Sequence, residues 1–449
     1  MKFFKIACAF LGVALAGCGG DDPMSAGNME GDTAAGKLTV SAHRVAGLAE
    51  RRPVTFKVRI ENISQSLSYR SSGAFNTPVG ASGPGPLLPD ASYAFSFDAA
   101  PGDRLSFATM YVQSNDLFFA PDAEGVALWE EGSPVSGDIT AQIHLWDAGT
   151  EVNQAPGAGS DQAPRQSGPD TGAAEEGMVR MVDDGFDYGA VAELITVTVT
   201  PVESAAGTRF TVNIANRTDS TTPLAPGVWV VHAEGAPLFA MGEMDRGEGL
   251  EHLAEDGNPG MLADMLAMES GVNTILAPGV WVIHRDADPL FGMGEMDRGE
   301  GLEDLAEDGN PALLAEALGI GVFNTPAGAE GPGPVLPGSA YEFSVMARPG
   351  DRLSFATMFV QSNDLFFGPK GGGIDLFGPG GSVEWDVTAQ VYLWDAGTEA
   401  NQLPGGGADQ APRQGGPDTG MEEGGSVRMV DDGFGYPGVD AAIRVTISR

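Results

Sequence analysis

Val54-Thr55-Phe56-Lys57-Val58-Arg59-Ile60 alternates apolar and polar side chains with a period of two, the pattern of a strand with one buried face. Tyr93 to Phe97, Leu105 to Val112, Ile139 to Leu145 and Leu194 to Val199 behave similarly, and each recurs in the second half of the chain. Pro- and Gly-rich turns such as Gly83-Pro84-Gly85-Pro86 and Pro101-Gly102-Asp103 separate them. Short strands between turn signals predict a mainly β fold arranged as antiparallel sandwiches. One kind of segment changes period. Leu250, Leu253 and Ala254 have the i, i+3, i+4 spacing of a helix that Asp256-Gly257 ends. Asn258 then caps a second helix with Pro259 at its first position, and Met261, Leu262, Met265 and Leu266 supply its apolar face.

These patterns sit in a long internal repeat. Gly73 to Thr200 matches Gly321 to Ser448 at a constant offset of 248, without insertions. Pro101 to Phe119 recurs from Pro349 to Phe367 with one change, Tyr111 to Phe359. TFKVRIEN (Thr55 to Asn62) matches RFTVNIAN (Arg209 to Asn216) at offset 154. A smaller unit, Ala225 to Pro259, is repeated from Ala277 to Pro311 at offset 52, and the first large copy has neither unit. The chain order therefore predicts one domain over 38–200 that lacks a helical segment. A second, over 201–449, carries it twice, at 225–276 and 277–320. Three explanations compete: loss of one unit and duplication of the other, misassembly of near-identical repeats, and packing of the surplus unit back onto the depleted first copy as a domain swap.

Composition narrows the class. With 42% hydrophobic residues the 449-residue chain can build cores, and 65 Gly and 31 Pro fall short of the share of roughly a quarter to a third that marks low-complexity chains. Acidic residues outnumber basic ones 62 to 24, a net charge of −38. That excludes a general nucleic-acid binder, which needs clustered Lys and Arg, and makes cations or a basic partner the natural counterparts. The two cysteines, Cys8 and Cys18, both lie at the N-terminus. Lys2 and Lys5 precede an apolar run from Ile6 to Ala16, too short for a spanning helix of about 20 residues, so residues 1–17 read as a signal peptide. Leu15-Ala16-Gly17-Cys18 resembles the bacterial lipobox, which implies lipidation of Cys18 and an acidic tether over 18–37. An envelope lipoprotein anchored in this way, most simply in the outer membrane facing the periplasm or the outside, is the expected location.

Carboxylates in glycine-rich turns are the main chemical candidates. Asp116 follows a strand in QSNDLFF and Asp147 ends one in LWDAGTE, with Asp364 and Asp395 as their counterparts. Strand-end loops at one end of a sandwich can bring such groups together, and hard cations such as Ca²⁺ favour carboxylate and carbonyl oxygens. Each Asp can equally cap its own turn through backbone N–H groups. The five histidines and the tryptophans Trp146, Trp394, Trp229 and Trp281 read as structural. DADPLFGMGEMD and the duplicated EDG and GEMDRGEG runs read as solvated acidic surface.

VQSNDLFFAP, LWDAGTE, the terminal ITVTVT, and GLEDLAEDGNPALLAEAL with GVFNTP in the second copy together resemble the spondin domain, the N-terminal module of mindin and F-spondin that also occurs in bacterial surface proteins. The resemblance covers nearly all of residues 38–449. It implies two C2-like β-sandwiches that bind calcium, with ligands at Asp116 and Asp147 in copy one and Asp364 and Asp395 in copy two. A third family ligand precedes PGDRLSF. Glu342 lies nearby in copy two, whereas copy one has Ala94 there and is left with weaker binding or with Asp98. Thrombospondin repeats are absent from this chain, so integrin binding does not transfer.

The expected function is a non-catalytic, calcium-binding adhesion or binding module with a protein or glycan ligand and no nucleic-acid partner. Two other classes compete with it: a carboxylate-based hydrolase of envelope or extracellular glycans, and a structural spacer.

Overall fold

The computed structural model describes residues 52–377 and 384–449; the signal segment, Cys18 and the tether lie outside the described residues. The first nine longer strands are β1 (Val54–Asn62), β2 (Tyr69–Phe75), β3 (Ser92–Ala99), β4 (Arg104–Tyr111), β5 (Leu117–Pro121), β6 (Ile143–Asp147), β7 (Ile195–Ser204), β8 (Gly207–Asn216) and β9 (Leu224–His232). Helices α1 (Leu250–Asp256) and α2 (Gly260–Met268) follow, then β10 (Leu276–His284), α3 (Leu302–Asp308) and α4 (Ala312–Leu318). The chain ends with β11 (Ala340–Ala347), β12 (Arg352–Phe359), β13 (Leu365–Pro369), β14 (Val391–Asp395) and β15 (Ile443–Ser448). All named strand pairs are antiparallel. Mainly β architecture with antiparallel sheets is thus what the period-two pattern delivers.

Two arrangements repeat. In one, β6, β5, β4, β9 and β2 lie side by side in a sheet that faces a second sheet of β3, β8 and β7. Phe107, Tyr111, Phe119 and Val231 from the first sheet pack against Phe95, Phe97, Val197, Phe210 and Ile214 from the second. In the other, β10, β12, β13 and β14 face a sheet in the order β11-β1-β15. There Phe355, Phe359 and Phe367 meet Phe56, Val58, Ile60, Tyr341, Val345, Val445 and Ile447. The helices cover the opposite face of the larger sheet. Leu250, Leu253, Leu262 and Leu266 pack on Ala108, Phe118, Trp146 and Val228, and Leu302, Leu305 and Leu314 pack on Val280, Ala356, Phe366 and Trp394. Strands β4 and β5 are accordingly buried on both faces, which is why RLSFATMY and LFFAP read as nearly continuous apolar runs.

This pairing divides the chain differently from a boundary at 200/201. Strand β1 lies between β11 and β15, so the first strand of copy one completes the second sandwich. Strands β8 and β9 and helices α1 and α2, expected in the second domain, complete the first. Each sandwich therefore holds one helical unit. The physical reason is that TFKVRIEN and RFTVNIAN offer the same buried face. Phe56, Val58 and Ile60 are fully buried at the positions that Phe210, Val212 and Ile214 fill in the other sandwich. Adjacency in sequence places β8 in a hairpin with β7, paired from Ser204↔Gly207 onward, and leaves the other slot to β1.

Local predictions fared unevenly. Gly257 ends α1 at φ 65 with its N–H on the Leu253 carbonyl, as the Asp-Gly signal implied. Asn258 Oδ1 accepts from the Gly260 N–H at 3.1 Å. In α2, Leu262 and Leu266 are buried while Met261 and Met265 are exposed, so only half of the expected apolar face is used. The run Ile139 to Leu145 is strand only from Ile143, because Thr140–Gln142 forms a 3₁₀ turn. Trp146 and Trp394 are core side chains, and Trp229 and Trp281 pack at the edges of the cores.

The exchanged strand gives a specific expectation. Phe56→Ala removes a fully buried ring and should cost about 3–5 kcal/mol. Backbone hydrogen exchange should accelerate in 340–347 and 443–448 and stay unchanged in 92–99 and 195–204. Loss of protection in 92–99 instead would contradict this partition of the chain.

Candidate metal centre

Asp116 and Asp147 meet because of strand register. β5 and β6 pair with Leu117 opposite Asp147, which sets Asp116, one residue earlier, beside the end of β6. The turn before it is fixed by the Ser114 hydroxyl, which donates to the Tyr111 carbonyl at 2.5 Å and accepts from the Leu117 N–H at 3.1 Å. Asp116 Oδ2 accepts from the Thr150 N–H at 2.8 Å, the Thr150 hydroxyl at 3.3 Å and the Glu151 N–H at 3.2 Å. Asp147 Oδ1 accepts from the Gly149 N–H at 2.8 Å. Gly149 is at φ 72, and a Cβ there would lie 2.8 Å from the Met178 backbone. Glycine is required at this turn for both reasons.

A third carboxylate joins them. One oxygen each of Asp116, Asp147 and Glu175 lie within 4.8 Å of one another. Arg180, opposite Asp147 in a short strand pair, donates to Asp147 Oδ2 at 2.8 Å and to Glu175 at 2.9 and 3.0 Å. Asn153 Nδ2 also donates to Asp147 Oδ2, at 2.8 Å. The second sandwich reproduces the whole set with Asp364, Asp395, Glu423, Arg428, Asn401 and Gly397.

The four aspartates are fully buried. Burial, and secondarily the neighbouring Asp147 carboxylate, push Asp116 up to about 7. Burial and Asp395 do the same to Asp364, also to about 7. Asp147 and Asp395 are raised too, by burial first, against the pull of Arg180 and Arg428. Among the described residues, Asp116 Oδ1 and Asp364 Oδ1 are buried without a hydrogen-bond partner, and so are Asn153 Oδ1 and Asn401 Oδ1. Orphaned acceptors of this kind cost free energy unless a donor or a cation meets them. The donor set is all oxygen and carries two or three negative charges, which fits a hard divalent cation. Arg180 and Arg428 already supply one positive charge to each cluster.

The four aspartates predicted from sequence therefore converge in two pairs, and Glu342 does not join them. It lies on β11 opposite Arg59, where it accepts from Lys57 Nζ at 2.6 Å and Arg59 at 2.8 Å. These contacts, that with Lys57 first, hold its carboxyl below the usual range. Its strand is in the smaller sheet, whereas Asp364 and Asp395 stand at the ends of strands in the larger one. Asp98 is likewise paired, with Arg209 at 2.8 Å. His232 is buried with Nε2 2.9 Å from the Ser106 hydroxyl, a structural role. Asp288, assigned to solvated surface, is buried and takes hydrogen bonds from Ser354 and the Leu290 N–H.

No motif in the sequence marks Glu175, Arg180 and Asn153, although all three recur at the offset of 248. The EDG runs, expected on solvated surface, are only partly there. Glu255 and Glu307, the first residues of those runs, are buried on α1 and α3. Glu255 lies beside the Thr150 hydroxyl, with Glu151, Glu251 and Asp116 close enough to disfavour its charge. Burial raises both Glu255 and Glu307 from the ordinary 4.5 to about 8.

That shift has a signed consequence. The folded chain keeps these protons up to about pH 8, whereas the unfolded chain releases them near 4.5. Between those limits the native state binds more protons, so its stability falls as pH rises. The double variant Glu255→Gln/Glu307→Gln should melt about 2 °C or more above the parent at pH 8 in the presence of a chelator. At pH 4.5 or below the two should melt together. Equal melting temperatures at both pH values would remove the buried-acid assignment.

Searches of protein-family models and of curated proteins find no match to this chain.

Proposed function

We propose that this chain is a non-catalytic, calcium-stabilised binding or adhesion protein of the bacterial envelope, lipid-anchored at Cys18, with two spondin-like C2-type sandwiches. The observation that carries the reading is the buried aspartate pair with an orphaned oxygen, built identically in both sandwiches. Arg180 and Arg428 offset one charge in each cluster, and burying the remaining carboxylates stays costly unless a cation joins them.

Asp116, Asp147, Glu175 and Asn153 would hold the ion in the first sandwich, and Asp364, Asp395, Glu423 and Asn401 in the second. Calcium bound there supplies the positive charge that offsets the repulsion between the carboxylates. The chain's own residues fix the rest: Thr150, Glu151 and Gly149 orient the aspartates through their backbone N–H groups, and Gly149 lets the 147–151 turn close on Met178. Full burial of both carboxylates supports binding over hydrolysis, since a glycan must reach a catalytic pair. The loops at this end of each sandwich are then the rigidified surface offered to a protein or glycan partner.

Melting with calcium and with EDTA tests the centre. Calcium at about 100 times its Kd should add about 2.7 kcal/mol per occupied site and raise the melting temperature. Asp116→Asn/Asp364→Asn should abolish the calcium-dependent rise while leaving a folded protein, because Asn keeps the acceptor that the Thr150 and Thr398 N–H groups use. An unchanged melting curve with and without calcium would sink the proposal. Fatty-acid labelling tests the anchor separately: incorporation should be lost in Cys18→Ala.

A further inference from the structure

The two middle strands β1 and β8 present the same buried side. Phe56, Val58 and Ile60 correspond to Phe210, Val212 and Ile214, and all six are fully buried. Their last residues are anchored alike. Asn62 Nδ2 donates to the Thr274 and Val335 carbonyls at 2.8 and 3.3 Å, and Asn216 Nδ2 donates to the Leu87 and Thr222 carbonyls at 2.9 Å. The buried side chains of the two strands thus do not distinguish them.

The outward sides do. β1 carries Lys57, Arg59 and Glu61, where β8 carries Thr211, Asn213 and Ala215. Their neighbours match. Arg59 faces Glu342 on β11, and Glu61 faces Arg444 on β15. The equivalent neighbours of β8 are Ala94 and Thr196. Lys57 and Arg59 both bond Glu342, at 2.6 and 2.8 Å. Arg444 bonds Glu61 at 2.5 Å, and Arg59 reaches Glu61 at 3.3 Å. Exposed pairs contribute little to total stability, but as a network they select one strand over another with the same apolar face.

The strands also differ in how they are tied. β8 continues from β7 through a tight hairpin. Among the described residues β1 has no sequence neighbour in its own sheet: the partners of Arg59 and Glu61 lie 283 and 383 residues away. Its connection onward to β2 is six residues, Ile63 to Ser68, with Leu67 held by reciprocal hydrogen bonds to Asn273 at 2.8 and 2.9 Å. Every contact that holds β1 in the slot is non-covalent. All of them form equally well with a β1 from another chain, and only the short connection must extend.

We propose that the slot between β11 and β15 accepts β1 from a second copy of this chain, so that two chains exchange residues 54–62 reciprocally. The exchange is the low-cost, closed type expected of an element whose pairing is the same within and between chains. Its selectivity lies in Glu342 and Arg444, which fit Lys57, Arg59 and Glu61 and do not fit β8.

Disulfide trapping in full-length chains tests it, in a Cys8→Ser/Cys18→Ser background that leaves engineered thiols alone. Thr55 and Met346 face each other outside the ion network. Thr55→Cys and Met346→Cys in one chain should close an intrachain bond, which establishes the geometry. Placed in two differently tagged chains, mixed at high concentration, warmed just below unfolding and cooled, they should give a mixed disulfide dimer that grows with protein concentration. Adding Glu342→Ala/Arg444→Thr to the acceptor should lower its yield several-fold. Arg209→Cys with Asp98→Cys, the facing pair on hairpin-tied β8, should give no mixed dimer. Exclusively monomeric products in the first mixture, despite intrachain closure, would overturn the proposal. So would equal dimer yields from the two pairs.

Discussion

Closure of the smaller sheets is the constraint on which the rest depends. Each needs a middle strand with Phe, Val and Ile on one face, because the facing sheet has already committed Phe107 and Phe119, or Phe355 and Phe367, to that core. A missing strand would expose those rings and leave two rows of backbone groups unpaired. One sandwich meets the need from its own hairpin. The other takes its strand from the far end of the chain, and this single choice threads the two sandwiches together. β9 with its helices joins the first sandwich through its pairing with β4.

The aspartate pairs depend on the same framework one layer further out. They sit at the ends of strands that are buried on both faces, so the peptide groups around them are fixed before any cation is considered. A rigid surround makes it possible to keep Asp116 Oδ1 without a partner; a mobile loop would relax and pair it. The helices contribute to the same environment. Glu255 and Glu307 face the turns that hold Asp116 and Asp364, so acidity accumulates on the inner side of each turn as well as on the surface. Much of the chain's negative charge is solvated, but part of its carboxylate content is buried at these turns.

Strand positions were legible because a half-buried strand writes its period into the chain. Partners were not, because that period states which face is buried and says nothing about which strand lies alongside. Chain order then suggested that Thr55 to Asn62 belongs with the repeat that follows it, and two segments with one apolar pattern made the alternative invisible on that face. The information was on the other face: Glu342 and Arg444 stand where the first copy has Ala94 and Thr196, and Lys57, Arg59 and Glu61 carry the complementary charges. At the candidate site, Asp116 and Asp147 were legible through repeated motifs, and the register of β5 and β6 brings them together. Glu175 and Arg180 lacked a motif, and their approach depends on a turn of some thirty residues folding back. Glu342 was misplaced because its role was inferred from position along the chain, whereas its environment is set by the incoming β1.

Differences between near-identical repeats therefore carry more structural information here than the identities do. Identical positions, such as the aspartates and their glycines, describe what the two sandwiches build alike. Divergent positions that pair with one another describe how the sandwiches share a chain. Substituting the neutral set for the charged set would leave both cores intact while removing one of the two charge distinctions between β1 and β8 on these faces, the other being Arg209 with Asp98 where β1 has Thr55 facing Met346. Two copies of one fold in a single chain face the problem of exchanging equivalent strands. Charge on the solvent side resolves it at little cost in stability, because those positions contribute little to the core in either sandwich.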